Sequence, residues 1–232
     1  MGINVPRVLA MVAHPDDESF GLGAVIAWLC GQSYPVSAVV FTQGEASTLG
    51  AGDDSSDLGA LRSGELGRAS RILGLSSYKL HSYPDGRLNE VSVEERVLRG
   101  EEAGPGEVVL AFYDTGVTGH PDHIAATEAA EALAIQHGAA FYLWTLPEDV
   151  AAQLSERFNI EFKGRPNDEI TTVLDVSKQR DIQWKAIHCH ESQLGGIDVV
   201  RARLELLGDR EYLIERSPGT LNLSPFDDGA DS

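Results

Sequence analysis

Basic residues, cysteines and long apolar runs are all scarce in this chain of 232 residues. Its 18 lysines and arginines stand against 36 acidic residues, so the formal net charge is -18, and no run of basic residues offsets it locally. Such a negative field repels nucleic acids and anionic membranes, and we expect neither as a partner. No apolar stretch approaches the about 20 residues that span a bilayer, and no secretion signal precedes the first one. These absences predict a soluble, cytoplasmic protein.

The two cysteines, Cys30 and Cys189, are too few to form a disulfide framework in a chain of this length. They fit a reducing compartment, where we expect them as small buried apolar residues. The length suffices for one hydrophobic core, and 42% hydrophobic with 23% charged residues is an ordinary globular composition. We therefore predict a single domain over residues 1–225, followed by an acidic, disordered tail over residues 226–232.

Strand-like and helix-like segments alternate along the chain, with a loop over residues 46–57 and a weaker signal from Glu148 onward. Short apolar or β-branched runs predict strands at 8–12, 36–41, 78–81, 108–112, 140–144 and 170–174. Helical spacing predicts helices at 23–31, 58–73, 91–99, 122–137, 178–190 and 199–207. This alternation indicates βαβ units. We predict an α/β fold, a Rossmann-like three-layer sandwich with a mainly parallel sheet and helices on both faces.

One imidazole and three carboxylates fill five positions directly behind the first predicted strand: His14, Asp16, Asp17 and Glu18. Open α/β sheets bind their ligands at the carboxyl ends of strands. His14 and Asp17 lie three residues apart around a turn, so both side chains can point to one centre. Asp16 then points elsewhere and can act as a general base toward water. The alternative for Asp16 is a helix N-cap, a role that aspartate often takes.

A second cluster, His120, Asp122 and His123, follows the predicted strand 108–112. His123 could supply a third ligand to zinc, which accepts nitrogen and oxygen donors and keeps one position for water at catalytic sites. Asp122 could pair with His120 and fix its tautomer, a role compatible with capping the following helix. Each residue taken singly is more often structural. Together the two clusters predict a metal site with catalytic helpers at the carboxyl ends of the strands.

Three weaker features favour structural interpretations. The glycine-rich segment 20–24 lacks the full dinucleotide-binding pattern and indicates close packing of a helix on the sheet. His188 and His190 flank Cys189, but positions i and i+2 diverge on a helix, which argues against joint metal ligation. Arg62 follows the loop and could reach a ligand, although a solvated helix face is the default for such charges.

The two clusters resemble the LmbE-like, or PIG-L, family of metal-dependent N-deacetylases. The family's His-Pro-Asp-Asp-Glu motif is complete at residues 14–18, and its His-Pro-Asp-His motif is complete at residues 120–123. Softer matches lie at 42–45, Arg62, Glu65, 83–86, Lys185 and 190–193. The resemblance spans residues 7–193, and two complete motifs in the family's order make it specific.

The resemblance implies three zinc ligands: His14, Asp17 and His123. It implies Asp16 as the general base for the attacking water. It also implies that His120, oriented by Asp122, stabilises the oxyanion or protonates the leaving amine. Two residues are implied to bind the substrate sugar: Arg62 and Asp85.

The implied reaction removes the N-acetyl group from a small conjugate of N-acetylglucosamine, with one Zn²⁺ per chain or Fe²⁺ in its place in the cell. Known family substrates carry inositol, an inositol phospholipid, malate, an antibiotic or further sugars, and the absence of a membrane segment favours a small conjugate here. A homo-oligomer is left open. Two rivals are a magnesium phosphohydrolase, against which the two imidazoles argue, and a non-catalytic sugar-binding protein, against which the complete set of residues argues.

Overall fold

The computed structural model describes residues 5–49, 58–104 and 106–216. Its strands are β1 (Val8–Val12), β2 (Val36–Thr42), β3 (Ser77–Tyr83), β4 (Val108–Phe112), β5 (Ala140–Thr145), β6 (Thr172–Asp175) and β7 (Arg210–Glu215). Within the described ranges these seven strands form one sheet in the order β3-β2-β1-β4-β5-β7-β6. Strands β1 to β5 run parallel, and β7 runs antiparallel to both β5 and β6. The sheet is therefore mainly parallel, as predicted.

The helices are α1 (Asp17–Phe20), α2 (Gly23–Gly31), α3 (Leu58–Leu73), α4 (Val93–Glu102), α5 (Gly116–Gly119), α6 (Pro121–His137), α7 (Glu148–Phe158), α8 (Arg180–Ile187) and α9 (Ile197–Leu207). Buried residues of α2, α3, α7, α8 and α9 pack on one face of the sheet. Those of α4 and α6 pack on the other. This is the predicted α/β three-layer sandwich. None of these helices is long and apolar enough to cross a membrane.

Strand β1 explains why the first apolar run shows no polar alternation. Val8, Ala10 and Val12 belong to the core on one face of the sheet, whereas Leu9 and Met11 belong to the core on the other. A central parallel strand is covered on both faces, so every position in it favours an apolar side chain.

The strand order positions the site. The chain moves outward from β1 through β2 to β3, and then returns to the other side of β1 as β4. Connections on either side of such a switch point diverge and leave a crevice at the carboxyl ends of the two strands. Both charged motifs follow these two strands, so the fold brings them to one crevice.

The structure differs from the sequence prediction mostly beyond Glu148. Helix α7 and strand β7 were not predicted, because α7 buries only a short apolar face and β7 begins with two charged residues. The glycine-rich segment does allow close packing, since a Cβ added to Gly21 would lie 2.4 Å from the Phe112 ring. The predicted tail over 226–232 and most of the predicted loop over 46–57 lie outside the described residues.

Candidate metal centre and adjoining cavity

The first motif turns sharply as it leaves β1. Asp16 has a φ of 124°, a region that few residues other than glycine occupy, and Asp17 begins α1. The Asp16 carbonyl accepts the N–H groups of Ser19 and Phe20 at 2.9 and 2.6 Å, while its side chain makes no capping bond. The alternative role of Asp16 as a side-chain cap is therefore not met, and its carboxylate faces the crevice.

Three side chains that can ligate a metal meet where the motifs join: His14, Asp17 and His123. His14 Nδ1 lies 3.2 Å from His123 Nε2 and 3.5 Å from Asp17 Oδ2, and His123 Nε2 lies 3.1 Å from Asp17 Oδ1. Ligand bonds of about 2.1 Å at tetrahedral angles place ligand atoms about 3.4 Å apart. The spacing and chemistry of these donors therefore fit one zinc-sized divalent ion.

Among the described residues, two further sets of side chains lie close enough to hold an ion: His14, His120 and His123 on one side of the His14 ring, and His14, Asp85 and Asp122 on the other. The His14 ring cannot turn both of its nitrogens to a single ion, so these sets are alternatives. Asp85 Oδ1 lies 3.0 Å from His14 Nε2, and Asp85 Oδ2 accepts the Ala46 N–H at 2.9 Å. Carboxylates already bonded to backbone suit the role of orienting a ligand imidazole from behind. Asp17 is also held by backbone, through Oδ2, but the Nδ1 side of His14 adds the His123 imidazole to this carboxylate, a donor set that suits zinc, and is therefore the better ion site.

The electrostatics of these groups favour a positive charge between them. Burial disfavours a charged His14 ring, yet hydrogen bonds to Asp122, Asp17 and Asp85 outweigh it and hold the pKa of His14 well above its ordinary value. Burial likewise disfavours the Asp17 carboxylate, but His123 and His14 hold its pKa well below the ordinary range. A cation bound among these groups would meet the same field.

Asp122 does not orient His120 through its carboxylate, which corrects the pairing inferred from the sequence. Its Oδ2 lies 3.3 Å from His14 Nε2 and accepts the Gly86 N–H at 2.7 Å, and its Oδ1 accepts the Leu88 N–H at 2.9 Å. The backbone N–H of Asp122, not its side chain, donates to His120 Nδ1 at 3.2 Å. The reason is that His120 is the N-cap of α6, while the Asp122 side chain turns from the first helical turn toward β1.

Arg62 and Asp16 form a buried pair at the edge of the crevice. Arg62 Nη2 lies 3.0 Å from Asp16 Oδ2, and the guanidinium also donates to the carbonyls of Gly44 and Pro15 at 2.6 and 2.5 Å. Burial raises the pKa of Asp16 to about 6, although the Arg62 charge opposes this. Arg62 is only 3% exposed. Its contacts therefore position Asp16, and a role in sugar binding stays a prediction for Arg62 and for Asp85.

His190, for which no clear role was predicted, supports the first motif through Glu18. Its Nε2 lies 2.8 Å from Glu18 Oε1, and both side chains are fully buried. Glu18 Oε2 in turn accepts the Asp16 N–H at 2.9 Å. His188 lies on the surface and bonds to the Trp184 carbonyl at 2.8 Å. The two histidines therefore point apart, as expected, although the predicted helix over 178–190 ends at Ile187 and neither histidine lies within it.

A cavity of about 450 Å³ opens beside the metal centre. Its lining combines the charged motif residues with apolar side chains, among them Phe20, Phe112, Trp144, Leu146, Phe162 and Val200. Arg203 and Gln193 add polar groups to the lining. None of these additional lining residues was predicted. Isolated apolar residues carry no local sequence signal that would separate a cavity wall from core.

The PIG-L family, described as GlcNAc-PI de-N-acetylase, matches residues 9–134, more than half of the chain. A relative from Saccharomonospora viridis, named 1D-myo-inositol 2-acetamido-2-deoxy-alpha-D-glucopyranoside deacetylase, is 28% identical. Its alignment covers 81% of this chain and 85% of the relative.

Two solved structures share the fold at low sequence identity. N,N'-diacetylchitobiose deacetylase from Pyrococcus horikoshii superposes with a TM-score of 0.65 at 23% identity, covering 94% of this chain and 88% of that one. A 4-carboxy-2-hydroxymuconate hydratase from Pseudomonas putida superposes with a TM-score of 0.71 at 18% identity, covering 95% and 100%. Proteins that share this fold thus catalyse different reactions, so the family is assigned from the sequence match and not from the fold. This chain belongs to the PIG-L family.

Proposed function

We propose that this protein is a zinc-dependent deacetylase that hydrolyses the N-acetyl group of a small N-acetylglucosamine conjugate. The observation that carries the proposal is the cluster of His14 Nδ1, the Asp17 carboxylate and His123 Nε2, whose separations of 3.1 to 3.5 Å suit one ion. Membership of the PIG-L family and the name of the aligned relative support the substrate class. Two imidazoles among the donors favour zinc over magnesium.

When bound, the metal supplies a Lewis acid that polarises the acetamide carbonyl and acidifies the attacking water. His14, Asp17 and His123 would hold it. Asp16 accepts the proton of the attacking water on its carboxylate, which Arg62 orients at 3.0 Å. General-base participation of this kind is worth roughly 100- to 10,000-fold in rate.

His120 donates a hydrogen bond to the developing oxyanion. Its Nδ1 accepts the Asp122 N–H, so the neutral ring carries its proton on Nε2. Burial, together with the neighbouring His14 and His123, lowers the pKa of His120 and so favours the neutral ring. The proton taken up by Asp16 then passes to the nitrogen of the leaving amine, which releases acetate and the free amino sugar.

The test is release of acetate and free amine from N-acetylglucosamine linked to inositol, to malate and to a second sugar. We expect turnover of at least one conjugate by the zinc-loaded protein, loss of turnover after chelation, and recovery when zinc is restored. Absence of acetate from every conjugate, with full zinc occupancy, would overturn the proposal. The rival is tested with phosphate esters of the same sugars. Release of phosphate from them would support a phosphohydrolase instead.

A further inference from the structure

Arg203 in α9 is a buried cation that faces the cavity without a counter-ion. Its side chain lies on the cavity wall and the residue is 8% exposed. Nη2 donates to the Phe20 carbonyl at the end of α1, whereas Nε is buried and has no hydrogen-bond partner. Among the residues that the structure describes, no carboxylate forms an ion pair with this guanidinium. An unpaired charge in this position is costly unless a partner arrives with the ligand.

Glu211, whose charge raises the pKa of Arg203, already bonds to other side chains. Glu211 accepts the Trp144 Nε1–H at 2.7 Å and forms an ion pair with Arg180. Burial lowers the pKa of Arg203 to about 10, even with the Glu211 charge nearby, so the group remains a cation at neutral pH. Arg180, Arg203 and Glu211 together therefore carry one net positive charge.

The side chains and backbone around Arg203 hold its guanidinium in a fixed position. The Arg203 guanidinium carbon lies 5.2 Å from the centroid of the Trp144 ring, which supports it from one side. Arg203 holds the carbonyl of Phe20, which is three residues along α1 from Asp17, and all three residues line the same cavity. A group attached to a sugar at the metal centre therefore shares this cavity with the guanidinium.

We propose that Arg203 binds a carboxylate on the group linked to the substrate sugar, so that this protein prefers acidic conjugates. The inference rests on the proposed function and specifies its substrate class. A guanidinium matches the planar carboxylate with paired donors and neutralises its single charge. In a chain of net charge -18, with Asp16, Asp17 and Asp85 lining the same cavity, this cation marks the place where an anion is accepted.

The first experiment compares N-acetylglucosaminyl malate with the neutral N-acetylglucosaminyl inositol, using the zinc-loaded protein. We expect Arg203→Gln to raise KM for the malate conjugate by about 10- to 100-fold with little change in kcat, since the lost contact binds ground and transition state alike. KM for the inositol conjugate should change less than about twofold. Equal losses for both conjugates would overturn the proposal and leave Arg203 as a support for Phe20 and Trp144.

Arg201→Gln is the matched control, because Arg201 lies on the same helix, is exposed and pairs with Asp198 at 3.2 Å. It removes the same charge from α9 and should leave both KM values unchanged. Arg203→Lys keeps the charge but loses the planar fork. It should retain part of the preference for malate, and a complete loss of folding in Arg203→Gln would make this variant the decisive one.

The second experiment does not depend on turnover. Free L-malate and its dimethyl ester are titrated into the zinc-loaded protein by calorimetry. We expect the wild type to bind L-malate, Arg203→Gln to bind it at least about tenfold more weakly, and the ester to bind to neither. Malate binding without deacetylation would contradict the proposed function alone. If the protein is a deacetylase but the wild type and Arg203→Gln bind L-malate equally well, this inference alone is contradicted. Equal binding is the result expected when the malate carboxylate binds the metal and not Arg203.

Discussion

Residues 8–134 and residues 148–216 both contribute to the lining of one cavity, but they contribute different kinds of side chain. The first region places both charged motifs at the ends of two neighbouring strands, with donor atoms 3.1 to 3.5 Å apart. The second region contributes Phe162, Val200 and Arg203 to the cavity lining, and its His190 supports the first motif. The reaction requires particular residue types at particular distances, whereas the rest of the lining requires only side chains of suitable size with one or two polar groups. We therefore expect substitutions in the first region to change turnover and those in the second to change stability and substrate choice.

The largest effect should come from the proposed ligands. His14→Ala, Asp17→Ala and His123→Ala should each lose bound metal and fall to background activity, because each removes one of three donors. Metal content after dialysis and acetate release measure this. His188→Ala is the control, since His188 is exposed and bonds only to the Trp184 carbonyl. Full metal occupancy in a ligand variant would remove that residue from the ligand set.

The next effect separates the base from the ligands. Asp16→Asn should keep its metal but lower kcat by roughly 100- to 10,000-fold, because an amide cannot accept the proton of water. Steady-state kinetics with metal analysis of the same sample checks this. Near-normal kcat would leave Asp16 with a role in the turn alone.

A smaller effect tests the contact between Asp122 and His14. Asp122→Asn should weaken metal affinity by about 10- to 100-fold, because the carboxylate orients a proposed ligand from behind. His120→Ala should instead lower kcat and leave metal affinity unchanged. Competition with a chelator measures the affinity. Asp114→Asn is the control, because the Asp114 carboxylate is exposed and pairs with Arg216 at 2.7 Å, outside the metal centre.

The opposite result would restore the interpretation made from the sequence. If Asp122→Asn kept its metal affinity and lost turnover only where His120 is present, the carboxylate would act through His120. A double variant no worse than His120→Ala would reveal that dependence.

The smallest effect on turnover should come from the support behind the first motif. His190→Ala should lower the free energy of unfolding by about 3 to 5 kcal/mol, because it leaves the Glu18 carboxylate buried without its partner. The folded variant should keep its metal. Chemical denaturation measures the loss. His137→Ala removes a half-exposed pair with Glu101 at 3.4 Å and should cost less than about 1 kcal/mol.

The contribution of His190 should also depend on pH. Burial disfavours its charged form, but the Glu18 charge outweighs this and raises the pKa of His190 above the ordinary value in the folded state. The stabilisation is then complete below the unfolded pKa of about 6.5 and is lost as pH rises through the folded pKa. The difference in the free energy of unfolding between wild type and His190→Ala should therefore narrow as pH rises. A difference that widens would mean that the ring is neutral in the folded protein.

The sequence predicted the first region well for local reasons. Buried parallel strands are continuous apolar runs, so β1 and β4 were identified within a residue of their bounds. The first motif follows β1 directly and the second follows β4 after α5, so the pairing of β1 with β4 in the sheet brings the two motifs together. Beyond Glu148 the predictions were weaker, and α7 and β7 were missed, because their apolar residues are few and their partners lie far away in the chain.

The sequence by itself determined the layered α/β fold, its mainly parallel sheet and the identity of the clustered histidines and carboxylates, because these depend on periodicity and on residues next to strand ends. Only the tertiary structure decided which atoms face each other. It directed the Asp122 carboxylate to His14 instead of His120, set Arg62 against Asp16, and left Arg203 unpaired at an apolar wall. Such contacts join residues tens of positions or more apart. Their partners are selected by packing, and no local pattern in the sequence encodes them.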